Sequence, residues 1–334
     1  MAENAQTIQI PDEYAVLGVR RGFNPSTPDE LRMIVGGFYG TGKTSFVCGD
    51  PKALVMDFDN AAQDVYGCRA LHVPVQSWGR YMALKALLLR DKEAGKCPVS
   101  RIVFDTGDLF LELIDHELVG PINARRTDAE GTPLAGEPAP IRSMKEFGQS
   151  GAGYTKLTQT MLGELLEWYN GGFAWTVTCQ LKWEKAANGG AASDLRSQMA
   201  PTTFGMLSSY ADLIAMIDVQ LRTETPKIKQ IVQGKPVLID GPQRTIREVR
   251  LDAFATERPG QADPKCRLLG VEVRTVIPAI GGWAAFHKHY SEQRQKLVDQ
   301  SRGVKPPAKV AVPPTPVPAV AVTADVTPPP PPAV

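Results

Sequence analysis

The sequence holds no run of 18 uninterrupted apolar residues, and its opening, MAENAQTIQIPDEY, lacks the basic start and apolar stretch of an export signal. Neither secretion nor a membrane span is expected, and the cytoplasm is the expected home. An excess of one charge is missing too: Lys plus Arg number 37 against 36 Asp plus Glu. The whole molecule therefore has no field to draw it to nucleic acid or to lipid, and an anionic partner must meet a local patch. The five cysteines (Cys48, Cys68, Cys97, Cys179, Cys266) are odd in number, widely spaced and without a CxxC pair. That argues against both a disulfide framework and a zinc ribbon. Four histidines, His72, His116, His287 and His289, form no ligand-spaced cluster with cysteine; the last two diverge on a helix because they lie two apart. All four read as structural. No internal repeat is present.

What the chain does contain is enough apolar residue, 43% of 334 positions, to bury a full core in one large domain with appendages. Residues 1–30 read as an N-terminal extension and 31–300 as the domain. From about Ser301 the composition shifts. Residues 301–334 carry 11 of the 28 prolines and only Ala and Val as apolar residues, which cannot pack a core; a disordered, partly polyproline II tail is expected.

Within the domain, short β-rich runs, RMIVG, ALVMDF, RIVFD and AWTVTCQ, alternate with helix-like segments. Each run ends in polar or glycine residues. The clearest helix is YTKLTQTMLGELLEWYN, where Leu157, Met161 and Leu165 recur at four-residue steps. This alternation predicts an α/β fold with a parallel sheet covered on both faces. Two segments interrupt it, Pro121 to Gly153 and Lys182 to Gly205, which read as long loops. Further on, KIKQIVQGKPVLID predicts a hairpin turning at Gln233-Gly234-Lys235, followed by short strands to about Ile277 and a last helix from Trp283 to Gln300.

The run MIVG leads directly into GFYGTGKTS, and Gly37, Gly40, Thr41, Gly42, Lys43 and Thr44 fit the pattern GxxxxGK[ST] between a strand and a helix. Glycines in that setting let successive backbone N–H groups surround phosphates, and the new helix adds its positive end. The motif predicts ATP: Lys43 would reach the β- and γ-phosphates, and the Thr44 hydroxyl would ligate Mg²⁺. Ser45, next in line, reads more as a helix N-terminal residue than as a ligand. The carboxylate that Mg²⁺ requires is expected from Asp105 at the end of RIVFD. No glutamate follows it, so the group that orients water must come from elsewhere, and Asp57 or Asp59 in ALVMDFDNA is the candidate. The fourth run ends in Gln180, a neutral amide suited to contact the γ-phosphate and to sense its loss.

GFYGTGKTS, MDFDNA, IVFDT and VTCQ, in that order, resemble the RecA-like recombinase ATPases, and most closely their short phage relatives, the single-strand annealing ATPases. The likeness spans roughly Leu31 to Gln180. It implies a RecA-like P-loop core, a phage origin, and roles for three residues: Asp59 in the place of a catalytic glutamate, Asp105 on Mg²⁺ and Gln180 as the γ-phosphate sensor. Aspartate for glutamate shortens the arm. The resemblance also implies that the segment after the sensor strand contacts single-stranded DNA. There Lys182, Lys185 and Arg196 would meet phosphates and Trp183 would stack on a base. In FATERPG, Arg258 resembles an arginine that reaches a neighbouring subunit's nucleotide, with Thr256 where a lysine is expected. A homo-oligomer, ring or filament, follows from that, with a single-strand binding protein or replication factor as a further partner. The expected function is annealing or strand exchange on single-stranded DNA. A helicase or helicase loader of the same fold, and a nucleotide-gated DNA-binding scaffold with little hydrolysis, are the alternatives.

Overall fold

The computed structural model describes residues 25–148, 151–185, 193–197, 199, 201–224, 227–232, 235–240, 244–253, 265–266, 273–278 and 281–302. The tail beyond 302 and Arg258 lie outside them. In chain order the strands are β1 (Met33–Gly37), β2 (Ala53–Asp57), β3 (Leu71–Pro74), β4 (Arg101–Asp105), β5 (Ala174–Lys185), β6 (Ser193–Ser197), β7 (Leu213–Glu224), β8 (Lys227–Val232), β9 (Lys235–Asp240), β10 (Arg244–Ala253), β11 (Lys265–Cys266) and β12 (Val273–Ile277). The helices are α1 (Lys43–Val47), α2 (Trp78–Glu93), α3 (Gly107–Asn123), α4 (Ala152–Asn170), α5 (Pro201–Tyr210) and α6 (Gly282–Ser301).

The main sheet runs β12-β10-β7-β1-β5-β4-β2-β3, with β11 beside β7 and β6 beside β5. From β7 to β3 every neighbouring pair is parallel. Strand alternation feeds two separate cores. Ile34, Leu54, Met56, Ile102 and Phe104 face one cluster with residues of α2, α3, α4 and α5. Met33, Val35, Ala53, Val55 and Val103 face the other, closed by Phe46 of α1 and by Trp283, Phe286 and Tyr290 of α6. Because both faces are covered, the central strands read as unbroken apolar runs. This is the mostly parallel, helix-flanked RecA-like architecture that the sequence leads one to expect. The stripe Leu157, Met161, Leu165 is buried as its spacing predicts.

Three expectations need correction. First, Lys182 to Gly205 is not a loop throughout. β5 continues to Lys185, β6 returns antiparallel along it, and α5 begins at Pro201. A ribbon that leaves the sheet has no buried face, so its residues carry no apolar alternation to read. Second, β3 was not expected; it is an edge strand with Leu71 51% exposed, again without a core-facing pattern. Third, the segment starting at Pro121 begins inside α3, and its irregular part is tied down. Asp115 accepts from the Ser143 hydroxyl and the Met144 N–H, both at 2.6 Å, and the Asn123 side chain bonds both backbone groups of Ile141. The predicted hairpin is present as β8 paired antiparallel with β9, Val232 opposite Lys235.

Candidate nucleotide site

β1, β2, β4 and β5 run in the same direction, so their carboxyl ends line one edge of the sheet, where open α/β sheets bind ligands. After β1, the chain turns through Gly40 (φ 72°) and Gly42 (φ 97°). Both lie in the left-handed region that side chains disfavour, and Gly42 is the residue from which α1 starts. Thr41 closes the turn by donating its hydroxyl to the Phe38 carbonyl at 2.9 Å. α1 is held from behind: the Phe46 ring meets those of Trp283 and Phe286 edge-on at 5.5 and 5.8 Å.

Lys43 is buried, and its ammonium donates to the carbonyls of Gly37 and Phe38, 2.9 Å each. Burial lowers its pKa; Cys179, Asp105, Asp108 and Asp59 oppose that shift, which puts all three carboxylates in its neighbourhood. Thr44 follows, with its hydroxyl on Asp105. Ser45 is the third residue of α1 and half-buried.

Asp105 is 1% exposed. Its Oδ1 accepts from the Thr178 hydroxyl of the adjacent strand, while Oδ2 is buried without a partner. Burial pushes its pKa up, against the two threonine hydroxyls and Lys43. A hydroxyl and a carboxylate oxygen are hard donors of the kind Mg²⁺ takes, and the orphaned Oδ2 gives such a cation something to satisfy. Thr44 and Asp105 therefore fit a Mg²⁺ seat.

The two β2 aspartates part company. Asp57 is buried and accepts from the N–H groups of Ala61 (3.1 Å) and Ala62 (2.9 Å), one on each oxygen. It holds the turn after β2. Asp59 is exposed; it accepts from Ala61 N–H at 3.1 Å, and partial burial with a bond to Asp57 raises its pKa. Of the pair, Asp59 is the one whose carboxylate reaches outward.

Gln180 is the register partner of Gly37, the last residue of β1. Its backbone N–H donates to Asp108 Oδ2 at 3.2 Å. Asp108, in the first turn of α3, was missed by sequence reasoning, because nothing local distinguishes it from an ordinary helix-start acid. Lys182, Trp183 and Lys185 follow Gln180 on the same strand, and Arg196 of β6 stands opposite Lys182. The structure thus gathers Gly37 to Ser45, Asp59, Asp105 and Gln180 at one edge, and the four DNA candidates on the ribbon beyond it. Among the described residues no group of three or more His, Cys, Asp or Glu forms a metal cluster, and no helix is long and apolar enough to cross a membrane.

A family model described as an AAA domain matches residues 29–247, more than half of the chain. No curated protein matches the sequence. Among solved structures, a KaiC-like protein from the hyperthermophilic archaeon Pyrococcus horikoshii OT3 is similar at 12% identity and a TM-score of 0.33, over 75% of this chain and 92% of that one. With the glycine turn, Lys43 and the buried Asp105 assembled within the matched region, the chain belongs to the AAA domain family and is a P-loop ATPase.

Proposed function

We propose that this ATPase is Mg²⁺-dependent, assembles on single-stranded DNA and promotes annealing or strand exchange, as a protein of phage type. The observation that carries the reading is the continuity of β5. One uninterrupted strand passes from the nucleotide edge at Gln180 into the ribbon bearing Lys182, Trp183 and Lys185, with Arg196 opposite. A shift of Gln180 on loss of the γ-phosphate therefore moves the basic ribbon directly, with no loop between to absorb it.

In this reading the backbone of Gly37, Gly40, Thr41 and Gly42 holds the phosphates, and Lys43 exchanges two carbonyls for phosphate oxygens. Ser45 supports the start of α1. Thr44 and Asp105 hold Mg²⁺, which supplies neutralising charge at the β- and γ-oxygens. Asp59 orients the attacking water, and the Gln180 amide contacts the γ-phosphate. Lys182, Lys185 and Arg196 meet DNA phosphates, and Trp183 stacks on a base. Arg258 reaches the nucleotide of a second copy of the chain in a ring or filament, and a single-strand binding or replication protein is a further partner.

Steady-state ATP turnover with and without single-stranded DNA, paired with a strand-unwinding assay, tests the proposal. Stimulation by DNA without unwinding is expected. Unwinding would make the chain a helicase, and nucleotide binding without turnover would make it a gated DNA scaffold. The short arm and outward position of Asp59 favour the scaffold as the second reading.

A further inference from the structure

β5 outruns β4. Its register with β4 ends at Val177, opposite Phe104, whereas its pairing with β1 continues to Gln180. Two carboxylates take over where the β4 ladder stops. Asp105 accepts from the Thr178 hydroxyl, and Asp108 accepts from the Gln180 N–H. Asp108 reaches that far because α3 starts hard against β5: a Cβ on Gly107 would lie 2.3 Å from Val177 Cγ1 and 3.2 Å from the Thr178 carbonyl oxygen. Only glycine permits that approach.

Bonding the Gln180 N–H needs one oxygen. The other, Asp108 Oδ1, is buried and unpartnered, as is Oδ2 of Asp105. Leaving a buried carboxylate oxygen unbonded is unfavourable, and serine or asparagine would serve an early helical turn and the Gln180 N–H without charge. Two carboxylates three residues apart, each with a surplus oxygen and both near Lys43, suit a small hard cation. Mg²⁺ dehydrates reluctantly and keeps several waters, which neighbouring carboxylates can hold.

We infer that Asp108 is a second carboxylate of the Mg²⁺ seat, its Oδ1 holding a water of the metal's shell while its Oδ2 fixes the end of the sensor strand. This rests on the nucleotide reading above. The test is Mn²⁺ affinity, measured by electron paramagnetic resonance on the full chain with a non-hydrolysable ATP analogue, for wild type, Asp105→Asn and Asp108→Asn. Asp108→Asn retains an acceptor for Gln180 and should weaken Mn²⁺ by about tenfold or more, with analogue affinity in chelator unchanged. Loss of Mn²⁺ affinity in Asp105→Asn but not in Asp108→Asn overturns the inference and leaves the metal reading standing. If neither variant weakens Mn²⁺, the metal seat itself is misplaced and the inference falls with it. Asp108→Ser is the second removal of charge. Wild-type Mn²⁺ affinity in either folded Asp108 variant, even with lowered stability, reduces Asp108 to a structural clamp.

Discussion

Asp57 and Asp105 are register partners at the ends of β2 and β4, yet Asp57 has both oxygens bonded to backbone amides whereas Asp105 keeps one buried oxygen unpartnered. The two should therefore fail differently. Asp57→Ala leaves the Ala61 and Ala62 N–H groups without their acceptor, and is expected to cost about 1–3 kcal/mol of stability, more if both become buried and unpaired. Urea unfolding measures this. Asp105→Ala should instead abolish ATP turnover at a stability near wild type. An Asp57→Ala protein as stable as wild type would show that the turn holds without its cap.

Lys43→Ala is expected to abolish hydrolysis while the fold survives, because the ammonium's two bonds are to loop carbonyls that face the phosphate site. The lost interaction with charge developing on the phosphoryl group is of order 3–4 kcal/mol or more, a rate loss of at least about 10²-fold. Turnover of purified protein close to wild type would remove the P-loop assignment.

Burial raises the pKa of Asp105 in the folded chain, so the folded state binds that proton more readily than the unfolded one. Stability from this group is full below the unfolded value and is lost as pH rises through the folded pKa. Asp105→Asn, neutral at every pH, should therefore raise the Tm of nucleotide-free protein at neutral pH, by about 2–4 °C for each kcal/mol relieved. The gain should shrink as the solution is acidified. Scanning calorimetry across that range decides it: a gain unchanged by pH, or none at neutrality, contradicts the argument.

Lys182 and Arg196 are opposed on the β5–β6 ribbon. Replacing both by alanine should weaken single-stranded DNA binding and reduce the slope of log affinity against log salt by about 1.4, two contacts at roughly 0.7 each. Basal ATP turnover should stay within a factor of about two, since neither side chain belongs to the nucleotide edge. An unaltered slope in an anisotropy titration would put the DNA on another surface.

If Arg258 acts across a subunit boundary, Arg258→Ala should bind ATP normally and hydrolyse it poorly, by a factor that in related chemistry exceeds roughly 10³. Mixing it with Lys43→Ala should restore part of the activity, because some mixed interfaces pair an intact P-loop with an intact Arg258. Mixtures that exchange subunits yet stay as inactive as either variant alone would return Arg258 to the surface.

The sequence by itself determined what depends on neighbours along the chain. The turn from Gly40 to Gly42 follows from local backbone preference, α4 and α6 follow from helical spacing, and β1, β2, β4 and the first part of β5 follow from unbroken apolar runs between turn residues. Only the tertiary structure separated one aspartate from another. Asp57, Asp59, Asp105 and Asp108 are chemically the same side chain, and their roles come from burial and from partners supplied by other elements: Thr178 for Asp105, and for Asp108 the N–H of Gln180, 72 residues away. The ribbon of β5 and β6 was illegible for a related reason. Its strands are held by backbone bonds to each other outside the sheet, and with no core to face they leave no periodic trace in the side chains.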